Sequence, residues 1–280
     1  MDKNTQVITV YQSKGGVGKT TLVGLLGQFL AGQGYRVVII DLDIQGSQST
    51  LFDLVDDAGR GREVLHRVLR RELDPLAALT RVPGRFVPGE GELFVIQGGP
   101  QTKEAIEEIS HAPVRFNIPQ STDILRGPVN ALRGHVDYVL LDMGPSDQIT
   151  ALAGLVVTDY LVIPTTMDYL SVERIAAVME EVGVVQSVKY VQVIGIVPMM
   201  TNYFFGGLRK SQTVQAGERY LEASYANLRL KDSQGLVDLQ YHEDLRKLMW
   251  AGVSLFGDDV KSKAKDDVLR LLNAIMAGVR

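Results

Sequence analysis

Val7-Ile8-Thr9-Val10-Tyr11-Gln12-Ser13-Lys14-Gly15-Gly16-Val17-Gly18-Lys19-Thr20-Thr21-Leu22 is the stretch that decides the fold. Its first five residues are an apolar run suited to a buried strand, and the apolar spacing after Thr20 is helical. Between them lies a glycine-rich phosphate-binding loop, in the strand–loop–helix setting that separates such a loop from a chance match. Glycines let successive backbone N–H groups converge on phosphate oxygens without side-chain obstruction, and the helix N-terminus adds partial positive charge. Lys19 is placed to reach the β- and γ-phosphates, and the Thr20 hydroxyl to ligate magnesium. Gly15, Gly16, Val17, Gly18, Lys19, Thr20 and Thr21 are therefore the expected nucleotide-binding residues.

Outward from this loop, short apolar runs alternate with helical patterns, the signature of a doubly wound, mostly parallel α/β sheet with helices on both faces. Strands are expected at 7–11, 36–42, 92–97, 136–142, 160–164, 191–198 and 224–230. Helices are expected at 19–32, 61–72, 102–109, 121–133, 148–157, 171–188, 208–222 and 261–277. The chain of 280 residues reads as a single domain. Its Pro- and Gly-rich part, 53–119, reads as a surface elaboration around the third strand. The arginines of 61–71 read as a solvated helix face in preference to a DNA-facing one.

With no cysteine, the chain forms no disulfides, thiolate zinc sites or cysteine-held iron–sulfur clusters. The start Met1-Asp2-Lys3-Asn4 leads into no signal-peptide core, and apolar runs break well short of the ~20 residues a membrane span needs. A cytoplasmic, soluble protein is expected. A net charge of −4 argues against a globally basic DNA-coating protein but leaves room for local basic patches, since binding follows the local field. The four histidines are too dispersed to suggest a metal site.

Two further acidic motifs follow the loop. Asp41-Leu42-Asp43-Ile44-Gln45-Gly46-Ser47 ends the second expected strand, where ligands bind in open α/β sheets. Val136-Asp137-Tyr138-Val139-Leu140-Leu141-Asp142 is an apolar strand ending in an acid, the Walker B form, in which Asp142 can hold magnesium through a water. Asp43 can align an attacking water, a step in which positioning matters more than basicity.

Lys14, at the start of the loop, gives it the form of the "deviant" Walker A motif, and the chain resembles the ParA/MinD/Soj ATPases from first strand to last helix. The resemblance is nearest to ParA/Soj-type partition ATPases. It implies that Lys14 reaches the partner subunit's nucleotide in an ATP-closed sandwich dimer. It implies Asp43 as catalytic residue together with Lys14 and Lys19, and magnesium held by Thr20, Asp43 and Asp142, with Asp41 nearer the outer shell. Residues 41–47 look like the family's DxDPQGN switch, with Ile44 for proline and Ser47 for asparagine. Met143-Gly144-Pro145-Ser146 takes the place of DxPPS, with Gly144 for a proline. The stretch 163–173 resembles a dimer-surface segment, so Asp168 and Glu173 are read as interface or capping residues. Adenine is expected near 198–201, at Pro198 and Met199.

Tyr225-Ala226-Asn227-Leu228-Arg229-Leu230 resembles a segment whose second arginine grips DNA backbone, with Ala226 in the place of the first arginine. Arg209 and Lys210 are expected to open the 208–222 helix where relatives set another DNA-contacting arginine. Arg209, Lys210 and Arg229 are thus the expected DNA contacts, made without regard to sequence and weakened by salt. The implied partners are a second copy of the chain, nonspecific DNA, and a ParB-like centromere-binding or cargo adaptor protein that stimulates ATP hydrolysis. The ATP-bound form would then associate with the nucleoid. Two alternatives remain. One is a MinD-like membrane-surface ATPase using the last helix, though its apolar spacing suits packing onto the sheet and no membrane partner is expected. The other is a nucleotide-gated scaffold with little hydrolysis.

Overall fold

In the computed structural model, residues 4–110, 123–145, 148–201, 203–204, 209–210, 212–243, 245, 247, 252–257, 260 and 262–279 are described. The strands are β1 (Gln6–Val10), β2 (Arg36–Asp41), β3 (Thr80–Arg81), β4 (Glu92–Ile96), β5 (Tyr138–Asp142), β6 (Tyr160–Thr165), β7 (Gln192–Thr201), β8 (Tyr203–Phe204), β9 (Arg209–Lys210), β10 (Lys231–Asp232), β11 (Gly235–Leu236) and β12 (Leu239–Gln240). The helices are α1 (Lys19–Gly32), α2 (Ser47–Leu51), α3 (Leu65–Leu69), α4 (Pro100–Ser110), α5 (Arg126–Leu132), α6 (Gln148–Val157), α7 (Tyr169–Gln186), α8 (Gln212–Tyr225) and α9 (Lys263–Gly278).

Eight strands form one sheet in the order β12-β7-β6-β1-β5-β2-β4-β3, and only the β3–β4 pairing is antiparallel. The continuous Val and Ile runs of β1, β2 and β5 are buried on both faces because helices cover both. α1 and α9 close one face, while α3 to α8 close the other. The expected doubly wound class is the observed one. α1 and α6 have the expected bounds, and the six well-marked strands lie within a few residues of theirs.

Three expectations are corrected. Residues 224–230 are not a strand: α8 runs through Tyr225, a 3-10 turn spans Ala226–Leu228, and only Arg229 bridges to Ile196. The apolar positions Val214 and Leu221 carry the helix across Ser224, burying one face against the core. Arg209 and Lys210 do not open a helix. They form β9, paired antiparallel with β8, and α8 begins after them. The 61–72 helix shrinks to α3, because the chain at 62–65 hydrogen-bonds to Gln97 and Arg71 takes a positive φ of 61°. The 111–119 part of the elaboration, and the expected helix starts Ser121, Leu208 and Lys261, lie outside the described residues.

Within 60–85, four of the seven arginines have local acidic partners. Arg70 makes a bidentate pair with Glu108 at 2.8 and 2.9 Å, Arg60 pairs with Asp56, Arg81 with Glu92 and Arg85 with Asp53. α9 buries Val268, Leu271, Leu272 and Ile275 against the sheet, so its apolar face is occupied by the core. No helix among the described residues is long and apolar enough to cross a membrane. Leu271→Ala therefore removes core packing, and urea unfolding will show a loss of about 2–5 kcal/mol. A change under about 0.5 kcal/mol, as at a surface site, would place this face outside the core.

Candidate functional site at the carboxyl edge of the sheet

The parallel register brings the motifs together. β1 lies between β5 and β6, so the loop leaving β1 emerges beside the ends of its neighbours. Strand β2 pairs with β5 so that Asp41 stands directly opposite Asp142. Gly16 and Gly18 carry φ of 75° and 92°, a left-handed backbone that L side chains avoid, and Gly18 caps α1. The N–H groups of Gly15, Gly16, Val17 and Gly18 make no hydrogen bond among the described residues. They are unengaged donors at the N-terminus of a 14-residue helix, a ready anion cradle.

The two lysines of the loop have different tethers. Lys19 is buried, its Nζ donating to the Lys14 carbonyl at 2.8 Å. Burial lowers its pKa, with Asp142 and Asp43 pulling the other way. The Lys14 ammonium turns from the loop to α7, 2.7 Å from both Asp168 Oδ1 and Ser171 Oγ. Asp168 caps α7, accepting from Ser171 N at 3.1 Å, and Thr166 donates to its other oxygen at 2.6 Å. Burial raises the Asp168 pKa, but the bonds from Lys14, Ser171 and Thr166 outweigh it and hold the carboxyl well below the usual range. The capping role expected of Asp168 is present; Glu173 is exposed.

Asp41 and Asp142 are both fully buried. Burial, then the charge of Asp142, raises the Asp41 pKa, against hydrogen bonds from Gln48 N and Asp43 N. Burial pushes Asp142 up to about 6, opposed by Gln48, Thr20 and Lys19. Gln48, which the motifs did not mark, donates to Asp142 Oδ2 at 2.8 Å. The other oxygen, Oδ1, is buried without a hydrogen-bond partner among the described residues. A buried carboxylate oxygen without a donor, beside a Thr hydroxyl and further acids, is a donor set suited to a hard cation. Thr20 and Asp142 fit magnesium.

Asp43 sits at the mouth of the site, its Oδ1 accepting from Gln45 N at 3.0 Å. A 230 Å³ cavity beside it is lined by Leu42, Ile44, Lys103, Ile106, Gly144, Pro145 and Thr150. A Cβ on Gly144 would come within 3.1 Å of Asp43 Oδ1, so the two switch segments touch. Ser146 lies outside the described residues. A larger cavity of 990 Å³, between α3 and α5, meets none of the expected site residues.

Pro198 and Met199 reach the same edge at the end of β7, but both are buried, and Met199 packs 3.1 Å from where a Gly18 Cβ would stand. Met200, at φ 52°, is the more exposed side chain there. Of the expected DNA contacts, Arg209 and Lys210 lie in β9, and Arg229 follows the 3-10 turn after α8. Arg229 is only 8% exposed, 3.5 Å from Glu222, with its Nε buried. It is not a free surface cation in this state.

A cradle of free amides, a buried lysine and paired strand-end acids define a P-loop nucleotide-binding protein. Residues 5–193 match a family described as an AAA domain. The chain is 30% identical over 183 residues to the putative replication protein A of Rhizobium rhizogenes, covering 61% of this chain and 43% of that one. It is 25% identical over 193 residues to the sporulation initiation inhibitor protein Soj of Bacillus subtilis, covering 65% and 66%. The chain thus spans 43% and 66% of the lengths of these two relatives. The McdA–ATP complex of Cyanothece shares the fold, with TM-score 0.79 at 18% identity over 98% of this chain and 97% of that one. The chain belongs to this AAA domain family, in its ParA/MinD/Soj branch of deviant Walker A proteins.

The raised acids give the metal-free protein a pH signature. An aspartate with a folded pKa near 6 and an unfolded value of 3.8 favours the folded state when protonated. That stability is full below 3.8 and is lost as pH rises to about 6. The neutral Asp142→Asn variant lacks this loss. In EDTA, wild type relative to Asp142→Asn will lose on the order of 2–3 kcal/mol between pH 4 and pH 7 in urea unfolding. A difference that is flat across this window contradicts the buried-acid assignment.

Proposed function

We propose that the protein is a ParA-type partition ATPase, which binds ATP and magnesium, closes into a sandwich dimer, holds nonspecific DNA and is released by partner-stimulated hydrolysis. One observation carries the reading: two lysines five residues apart on one phosphate loop have separate tethers, Lys19 inside the cradle and Lys14 outside it. A single subunit's phosphate site needs only the inner lysine. An outer ammonium, half-exposed and held by one carboxylate, is suited to a second subunit's phosphates.

In this reading the amides of Gly15 to Thr21 and the Lys19 ammonium bind the phosphates. Magnesium, held by Thr20, Asp43 and Asp142, supplies positive charge to the phosphate oxygens when bound. Asp43 accepts a hydrogen bond from water, whose oxygen bonds to the γ-phosphorus as the bond to the β–γ bridging oxygen breaks, giving ADP and phosphate. Adenine lies near Pro198 and Met199; because these side chains are buried, backbone groups read its edge. Arg209 and Lys210 supply DNA phosphate contacts, joined by Arg229 once it leaves Glu222. A ParB-like or cargo adaptor protein is the stimulating partner, and the ATP form associates with the nucleoid. One observation favours a nucleotide-gated scaffold instead: Ile44 and Gly144, both departures from the switch pattern, line the cavity at Asp43. Turnover measured with DNA present separates the two.

Gel filtration with ADP, with ATP, and with ATP on Lys14→Ala tests the central step. Dimer is expected with ATP alone and is lost in the variant; a Lys14→Ala dimer of normal stability refutes the trans role. On random-sequence DNA, retention will require ATP and fall with salt, the log–log slope shrinking by about 1 for each phosphate contact removed by Arg209→Ala or Lys210→Ala. Unchanged slopes remove β9 from the DNA surface.

A further inference from the structure

Gln48 is the second residue of α2 and is fully buried. Its Nε2 donates to Asp142 Oδ2 at 2.8 Å and to the Thr20 carbonyl at 3.0 Å. Both neighbours are acceptors, so the carboxamide nitrogen must face them and the orientation of the amide follows from chemistry. Its backbone N–H donates to Asp41 Oδ2 at 3.1 Å. One residue thus ties the end of β2, the end of β5 and the first turn of α1 together.

The cost of this arrangement argues against mere filling of space. Gln48 Oε1 is buried with no hydrogen-bond partner among the described residues, a desolvation loss that an apolar side chain of the same volume would avoid. What an apolar side chain would forfeit is the pair of N–H donors. These hold one oxygen of Asp142, whose other oxygen has no hydrogen-bond partner among the described residues, and the carbonyl of the same Thr20 whose hydroxyl is expected to ligate magnesium. A carboxylate pinned through one oxygen presents the other in a fixed direction.

We propose that Gln48 is a positioning residue of the magnesium site, fixing Asp142 and Thr20 in the relative orientation that receives the hydrated ion. This rests on the nucleotide-binding reading above. Groups that orient metal ligands from behind typically change metal affinity 10- to 100-fold when removed.

The test is ADP binding by calorimetry, first in EDTA and then across a magnesium titration, for wild type, Gln48→Ala and Gln48→Met. The methionine keeps the volume and removes the donors, so it reports even if the alanine variant fails to fold. In both variants the half-saturating magnesium concentration is expected to rise about tenfold or more, and by a larger factor than the metal-free ADP Kd changes. A folded variant whose magnesium midpoint equals that of wild type overturns the proposal. So does one in which the midpoint and the metal-free Kd shift by the same factor, as a purely structural role would produce. Wild-type protein that binds no ADP at all overturns the nucleotide reading itself, an outcome distinct from either.

Discussion

The register that sets Asp41 beside Asp142 across β2 and β5 is the constraint on which the site depends. Two carboxylates, both fully buried, repel one another and lose hydration together. The surroundings answer with donors: the amides of Asp43 and Gln48, the Gln48 carboxamide and the Lys19 ammonium nearby. The compensation is incomplete, since burial still raises both pKa values and Asp142 Oδ1 has no hydrogen-bond partner among the described residues. A site in that condition is relieved by positive charge. The unfavourable electrostatics of the bare acids are what a bound cation would relieve, as the proposed function requires.

The phosphate loop links this acid pair to α7. Lys19 hangs on the Lys14 carbonyl, so the position of one lysine depends on the backbone of the other. The Lys14 side chain meanwhile belongs to the cap of α7, through Asp168, Ser171 and Thr166. Any movement of Lys14 toward a second subunit removes a donor from that cap and leaves Asp168 with its neutral partners. The loop and the first turn of α7 are therefore one mechanical unit, with exposed Tyr169 and Leu170 at its outer surface.

Much of the fold was legible because its signals are long and redundant. Fourteen residues of helical spacing after a glycine loop leave α1 little alternative, and the Val and Ile runs mark strands covered on both faces. The errors fell where tertiary contacts overrule local pattern. In 61–72 the helical spacing is real, but Gln97 captures the N–H groups of Arg62, Val64 and Leu65. At 224–230 the helix runs on only to Tyr225, which packs with Leu221 on the core, and a 3-10 turn takes up Ala226–Leu228. Short paired segments such as β8 and β9 carry too few residues for a periodic signal. The phosphate loop and the strand-end acids were legible from spacing, while the roles given to Lys14, Asp43, Pro198 and Met199 came from the family resemblance. Gln48 was legible in neither way, since nothing in one polar residue's sequence context says that it is buried between two acids.

The departures at Ile44 and Gly144 are one feature in space, although 100 residues separate them. Both line the cavity at Asp43, and a Cβ at 144 would stand 3.1 Å from the Asp43 carboxylate. A proline there would press on the residue expected to align water, so the glycine is what lets the second switch segment close on the first. Ile44, 40% exposed, lines that cavity with an apolar side chain. With no proline at 44 or 144, φ is not locked at either position, and the two segments meet at Asp43. Under the proposed function, the position of Asp43 would then depend on the contact between the two segments more than on the stiffness of either loop.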